Sequence, residues 1–269
     1  MSDLWSEDLD KLELVEGALL LNSQIDSEFN LTWVEMQLEK LLSEAELALS
    51  KEVDERARFD AFLRLFYQEW GFKGDYESYF SSENAFIDKV IERRKGIPVS
   101  LGALLLFFGR KLGFRIQGIS FPTQFVISIS WDAQQISYIN PFNGEYVAKS
   151  VLHAWLKGQD GQWAQLKPEH LNIADNSVLI GRWLGVLKNA FMREERYTQA
   201  LACTDLALSL VPDDPYEIRD RGFIYQHLQC LQVARQDFEY FLEKCPQDPT
   251  ADLLKLQLRA LQEVPTVLH

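Results

Sequence analysis

The sequence predicts an α+β domain followed by an all-α tail of helical repeats, on three observations. Residues 1–94 show apolar spacing of helical period only. An almost wholly apolar run, Val99 to Gly109, lies between Pro98 and Gly113, and short β-branched and aromatic segments follow it. From about residue 177 the pattern is helical again and repeats at a fixed offset. The expected domains are therefore 1–176 and 177–269.

Leu12, Val15, Leu19 and Leu20 recur at helical spacing. So do Leu31, Val34, Leu38, Leu41, Leu42 and Ala45, and then Phe59, Phe62, Leu63, Phe66 and Trp70. Gly71 and Gly74 end the third helix, since glycine takes the left-handed backbone that follows a helix without steric cost. A fourth helix is expected from Ser82, a capping residue type, to Lys95, with Gly96 beyond it. Arg93, Arg94 and Lys95 would be its solvated last turn, where cations complement the helix dipole. Pro98 suits a first helical turn, where its missing N–H is not needed. The helix after it is apolar all round, so it is expected to be buried on every side. Arg115–Ser120, Phe125–Trp131 and Ile136–Asn140 read as strands and Pro141–Gly144 as a turn, which gives an antiparallel meander behind the buried helix. Residues 146–176 hold one or two helices and a polar surface loop at Gly158–Gln162.

In the tail, Pro212 and Pro246 stand 34 residues apart, as do Pro215 and Pro249, and Ala200 and Ala234. That is the tetratricopeptide period. Gly222, Tyr225, Ala234, Phe238 and Pro246 occupy its small, aromatic, small, aromatic and proline slots. Small residues let paired helices approach, aromatics fill the gap, and proline ends the second helix. Leu184, Leu187, Phe191, Ala200, Ala207 and Pro212 form a weaker first unit, and Pro249 to Leu261 the capping helix that a solenoid requires.

Composition narrows the function. Acids outnumber bases to a net charge of −13, a field that repels phosphate backbones, so no nucleic-acid partner is expected. The longest apolar run is shorter than the roughly 20 residues a bilayer requires, and the acidic N-terminus is not a targeting peptide. A cytoplasmic protein without a membrane partner is expected. Cys203, Cys230 and Cys245 fit no zinc or disulfide pattern and are expected as small core residues within helices. Four scattered histidines include no pair at ligand spacing, and no glycine-rich phosphate loop appears, so no metal or cofactor is expected.

Three stretches carry a resemblance: Gly96-Ile97-Pro98-Val99-Ser100-Leu101 through Phe114, Phe121-Pro122-Thr123-Gln124-Phe125, and Ile139-Asn140-Pro141-Phe142-Asn143-Gly144. With the repeats behind them, they resemble the SirB-type family of bacterial proteins, in which a transglutaminase-like domain precedes tetratricopeptide repeats, and which is also described as an invasion-regulator family. The resemblance implies a cysteine-hydrolase-like core. Active members of that fold carry a cysteine at the start of the buried helix, a histidine on a following strand and an aspartate on the next. The thiolate attacks an acyl carbonyl, the imidazole moves the proton, and the carboxylate orients the imidazole. Carried over by position, these are Pro98, Gln124 and Asn140 here. Proline has no nucleophile, a glutamine amide accepts no proton near neutral pH, and asparagine carries no charge. The resemblance thus implies a degenerate, non-catalytic core.

The expected function is protein or peptide binding, with a scaffold or regulatory role, through the repeat tail. The candidate contacts are Arg219, Asp220, Arg221 and Gln226, which the repeat motif leaves free of packing duties, so the two arginines are expected to be removable without loss of stability. The repeats could also serve only to brace the core. The alternative class is a hydrolase or amidase with Ser100 as nucleophile and His153 as its base.

Overall fold

The computed structural model describes residues 6–132 and 135–262. They form two compact units, Ser6–Trp183 and one that begins at Leu184.

The first unit opens with helices α1 (Ser6–Leu9), α2 (Leu14–Ile25), α3 (Leu31–Leu49) and α4 (Glu55–Arg64). Polar side chains start two of them: Asn30 accepts from the Trp33 amide at 3.0 Å and Asp54 from that of Ala57 at 2.8 Å. A π-helical turn, Leu65–Glu69, continues α4, and Gly71 ends the run at φ +75°.

The expected fourth helix is broken in two. A 3₁₀ turn at Ser82–Asn84 precedes α5 (Ile87–Arg93). The break holds because distant side chains satisfy the backbone there. The fully buried Asn22 amide on α2 donates to the Ala85 carbonyl (3.3 Å) and accepts from the Ile87 N–H (3.0 Å). Trp183 Nε1 donates to the same carbonyl at 2.9 Å. With these bonds made, an unbroken helix has nothing to add.

Nor is Arg93-Arg94-Lys95 a solvated helix end. Arg93 binds Asp75 at 2.9 Å, Asn84 Oδ1 at 3.2 Å and Glu83 at 3.3 Å. Arg94 takes the left-handed conformation, φ 56°, and lays its guanidinium 4.5 Å from the Phe72 ring centroid. Lys95 belongs to a two-residue strand, β2 (Lys95–Gly96), paired in parallel with β1 (Lys73–Gly74). Burial works against ionisation of Asp75, but the Ser78 amide, Lys95 and Arg93 outweigh it and hold its carboxyl below the usual carboxylate range.

Helix α6 (Pro98–Lys111) is buried along its length to Gly109 except for a half-buried Phe107, and Gly113 stops it at φ +87°. The antiparallel meander follows as β3 (Ile116–Ser120), β4 (Phe125–Ser130), β5 (Ile136–Ile139) and β6 (Tyr146–Val147), adjacent in that order. Strand β6 was not expected, being too short to show alternation. Helix α7 (Lys149–Asp160) takes in the first part of the expected surface loop, with Gly161 at φ +92° beyond its end. Phe59, Phe62, Phe66, Phe72 and Phe108, all fully buried, form the aromatic heart of the unit beside α6. Phe66 and Phe72 stack at 4.6 Å.

Helix α8 (Asn176–Arg193) begins in the first unit, and its Leu184–Arg193 part belongs to the second. There α9 (Tyr197–Leu210), α10 (Pro215–His227), α11 (Leu231–Lys244) and α12 (Ala251–Gln262) follow, giving two helix pairs and a cap. The small and aromatic slots interlock: the Phe238 ring fills the space a side chain at Gly222 would need, 2.7 Å from where its Cβ would stand. Only Cys203 lies inside a helix, buried in α9; Cys230 and Cys245 flank α11 as its cap residues. Among the described residues no helix is long and apolar enough to cross a membrane.

Candidate functional site

The start of α6 meets the two other stretches that carry the resemblance. At Gly102, one turn past Pro98, the space of the missing side chain is filled by the Phe125 ring and by Pro141, whose Cβ lies 3.4 Å from where one at Gly102 would stand. The helix, the loop bearing Gln124 and the turn headed by Asn140 therefore converge on one place. Each has local work there. Pro98 is the buried first residue of α6. Gln124 is half-buried at the bend before β4, so it precedes the strand. Its neighbour Thr123 has a buried hydroxyl without a hydrogen-bond partner. Asn140 Oδ1 accepts from the Phe142 amide at 3.0 Å, and its carbonyl from the Gly144 amide at 2.8 Å, so it ties the turn together. The Tyr67 hydroxyl donates to the Pro141 carbonyl at 2.7 Å from below, and burial pushes its pKa far up.

Ser100 and His153 are not brought together by a hydrogen bond. Ser100 is fully buried, its hydroxyl donating to the Asn84 carbonyl at 2.6 Å and accepting from the Ile97 amide at 3.1 Å. His153 Nε2 lies 3.0 Å from the Ala164 carbonyl. No group of three metal-ligating side chains occurs among the described residues.

The second unit carries a groove of about 280 Å³ between α8 and α10, lined by Lys188, Asn189, Met192, Arg219, Asp220, Phe223 and Ile224. Lys188, 5 % exposed, holds Glu217 and Asp220 at 2.7 Å each. Burial lowers its pKa and the two carboxylates raise it, with a net rise. Of the four contacts expected from the sequence, Arg219 and Asp220 line this groove and bind each other at 2.8 Å. Arg219 also lies over the Tyr216 and Phe241 rings. Arg221 forms a two-pronged pair with Asp237 on α11, 2.9 and 2.7 Å, which explains an arginine in a slot the motif gives to leucine. Gln226 accepts from Gln257 on α12 at 2.7 Å. All four are half-buried, not exposed. Sequence reasoning missed Lys188; the signal was a lysine beside Leu187 on the packed face, with acids at Glu217 and Asp220 one turn apart on a later helix.

A family model described as the transglutaminase-like superfamily matches residues 32–185, and one for the tetratricopeptide repeat matches residues 187–259. The chain is 63% identical over 261 residues to a UPF0162 protein of Vibrio cholerae, 97% of each chain. It is 41% identical to a UPF0162 protein of Pasteurella multocida, over 87% of this chain and 88% of that one. It is 36% identical to Protein SirB1 of Salmonella typhimurium along the whole of both chains. No solved structure matches. The chain belongs to the transglutaminase-like superfamily, in the SirB-type branch that carries tetratricopeptide repeats behind the core.

Proposed function

We propose that this is a non-catalytic, cytoplasmic scaffold or regulatory protein, with a transglutaminase-like core that no longer does acyl chemistry and a repeat tail that binds a protein or peptide. One observation carries the reading: no cysteine precedes Cys203, so the whole core lacks the thiol on which the fold's chemistry depends. Proline, glutamine and asparagine at positions 98, 124 and 140 support it, as does the consumption of the Ser100 hydroxyl by two backbone groups. In the tail, Arg219 and Asp220 are the proposed partner contacts, and Arg221 and Gln226 hold α10 to its neighbours while lending their free edges.

Two assays test the core. Incubation with a glutamine-donor peptide and a fluorescent amine should give no product above buffer. A fluorophosphonate should leave Ser100 unlabelled. Labelling of Ser100 in folded protein faster than in the denatured chain returns the protein to the hydrolases. Installing Pro98→Cys, Gln124→His and Asn140→Asp together should create a thiol whose alkylation depends on the new imidazole; an inert thiol in a folded variant means the three positions do not face one cleft.

A further inference from the structure

Two half-buried arginines that lack an acid within ion-pair distance, Arg58 and Arg94, lie over the Phe114 and Phe72 rings; in a chain with thirteen more acidic than basic charges, one with neither an acid nor a ring face among the described residues stands out. Arg182, on α8 within the first unit, is such a residue. Its Nη1 donates to the Ser120 hydroxyl and the Phe121 carbonyl, both at 2.8 Å and both neutral. No carboxylate of the described residues lies within ion-pair distance, whereas Arg93 and Arg221, equally half-buried, each have one. Burial lowers the Arg182 pKa, and the only titratable neighbour acting on it is the Tyr79 phenol, uncharged at neutral pH. Hydrogen bonds to neutral acceptors offset only part of the cost of taking a guanidinium partly out of water, and a counter-ion offsets more. Among the described residues Nε and Nη2 have no hydrogen-bond partner, and neither is one of the fully buried unpartnered atoms. They are therefore open to a ligand.

The surroundings say what else that ligand carries. Phe121 opens the loop that ends at Gln124, so Arg182 stands at the start of that loop. Asn84 donates to the Ser78 carbonyl at 2.6 Å and reaches that of Tyr79 at 3.5 Å, and Trp183, next to Arg182, donates to the carbonyl of Ala85, the residue after Asn84, at 2.9 Å; segment 76–80 is thus tied to the turn that Arg182's neighbour holds. Tyr79 contacts Phe80 and Phe142 at ring distances of 5.2 and 5.8 Å, and Tyr76 meets Phe142 at 4.5 Å. Tyr76 is 73 % and Phe80 59 % exposed, a large apolar shelf for a surface otherwise this charged. Among the described residues the Tyr79 hydroxyl has no hydrogen-bond partner.

We propose that Arg182 and the Tyr79 hydroxyl form a carboxylate-binding site, and that the Tyr76–Phe80–Phe142 shelf takes an apolar side chain next to that carboxylate, so that the core unit binds a peptide through a carboxylate flanked by an aromatic or aliphatic residue. The guanidinium supplies a charge-assisted bond and the phenol a second donor. The carboxylate can be a chain terminus or an acidic side chain.

The test uses the full chain, 15N-labelled, titrated to 10 mM with three probes: N-acetyl-Leu-Phe with a free carboxyl, its C-terminal amide, and N-acetyl-Phe-Asp-amide. The free acid should shift resonances of segment 76–80, Phe142 and Arg182, and the amide should bind about tenfold more weakly. Stronger binding by the acid places the ligand at a chain terminus, and stronger binding by the aspartyl probe places it on a side chain. Arg182→Gln should cost the preferred probe about tenfold or more, with Arg182→Lys recovering part of it. Should Arg182→Gln fail to fold, Tyr79→Phe removes only the hydroxyl and should weaken binding about threefold. Equal binding of acid and amide overturns the proposal, as does no shift with any probe at 10 mM.

Discussion

From Pro98 to Gly109 the central helix α6 buries no ionisable side chain, whereas the second unit buries Lys188 and Asp237, each 5 % exposed, on α8 and α11. The core unit is held mainly by volume: six fully buried phenylalanines, with glycines where a ring must touch backbone, as Phe125 does at Gly102, beside one buried ion pair, Asp75 with Arg93. The repeat unit, with the same share of apolar residues, also ties its helices with charge, Lys188 between Glu217 and Asp220 and Arg221 against Asp237. A core held by volume responds to a missing methylene. A stack held by charge responds to a missing partner, and its paired surface can exchange an internal partner for an external one.

The largest effect is expected in the core. Phe66→Ala should cost about 3–5 kcal/mol in denaturant unfolding, because the ring meets Phe72, Phe62 and Phe108 and leaves a cavity. A loss under about 1 kcal/mol breaks the volume argument. In the repeat unit, Lys188→Met should cost about 1–3 kcal/mol; a fully buried broken pair costs more, but Glu217 and Asp220 keep 23 % and 29 % of their side chains exposed. Adding Glu217→Gln and Asp220→Asn to that variant should return most of the loss, and no recovery means that Lys188 acts through packing.

Arg221→Ala should cost about 1–2 kcal/mol, since it strands the Asp237 carboxylate, while Arg219→Ala should cost under about 0.5 kcal/mol. The Asp237 pair therefore speaks against free removal at Arg221, and the double expectation becomes one for Arg219 alone. Equal losses at the two positions would erase the distinction between a tie and a contact.

The units should also differ at the two ends of the pH scale. Asp75 has a folded pKa below its unfolded one, so its contribution is present above about pH 4 and is lost as pH falls through the folded value. Asp75→Asn should flatten stability below pH 4 in the core transition. Cys203 runs the other way. Burial pushes its thiol up to about 12 from 9.0, so the repeat unit keeps this contribution below pH 9 and loses it progressively toward pH 12. Cys203→Ala should remove that slope in guanidinium titrations at pH 8 and 10. The smallest effect is on reactivity alone. Iodoacetamide should label exposed Cys230 first, Cys245 next and Cys203 only on unfolding; fast labelling at Cys203 would mean the repeat stack opens readily.

Features legible in the sequence were those set by neighbours in the chain. Pro98 and Gly113 bracket α6, β-branched and aromatic residues mark β3 to β5, and a 34-residue offset marks the repeats. Asn140-Pro141-Phe142-Asn143-Gly144 announced its own turn. What escaped depends on partners remote in sequence. The fourth helix breaks because Asn22, over sixty residues earlier, bonds Ala85 and Ile87. The β1–β2 pair is two residues long, too short for any pattern to show, and joins segments with a 3₁₀ turn and α5 between them. In the candidate tail site, residue type pointed to Arg219 and Arg221 alike, and only the position of Asp237 on α11 tells them apart. Arg182 left no trace in the sequence, because what marks it is a missing partner.

The π turn after α4 fixes chain length as firmly as any buried ring. Its bonds reach five and six residues back, Trp70 N–H to the Leu65 carbonyl at 2.8 Å and Phe72 N–H to that of Phe66 at 3.1 Å. Such a turn holds one residue more than an α turn. Deleting any residue of Leu65–Glu69 would let an ordinary helix close and rotate everything beyond it by roughly 100°. Phe66 stacks on Phe72 and the Tyr67 hydroxyl reaches the Pro141 carbonyl, so a one-residue deletion within Leu65–Glu69 should turn Trp70 and Phe72 away from the rings they now meet.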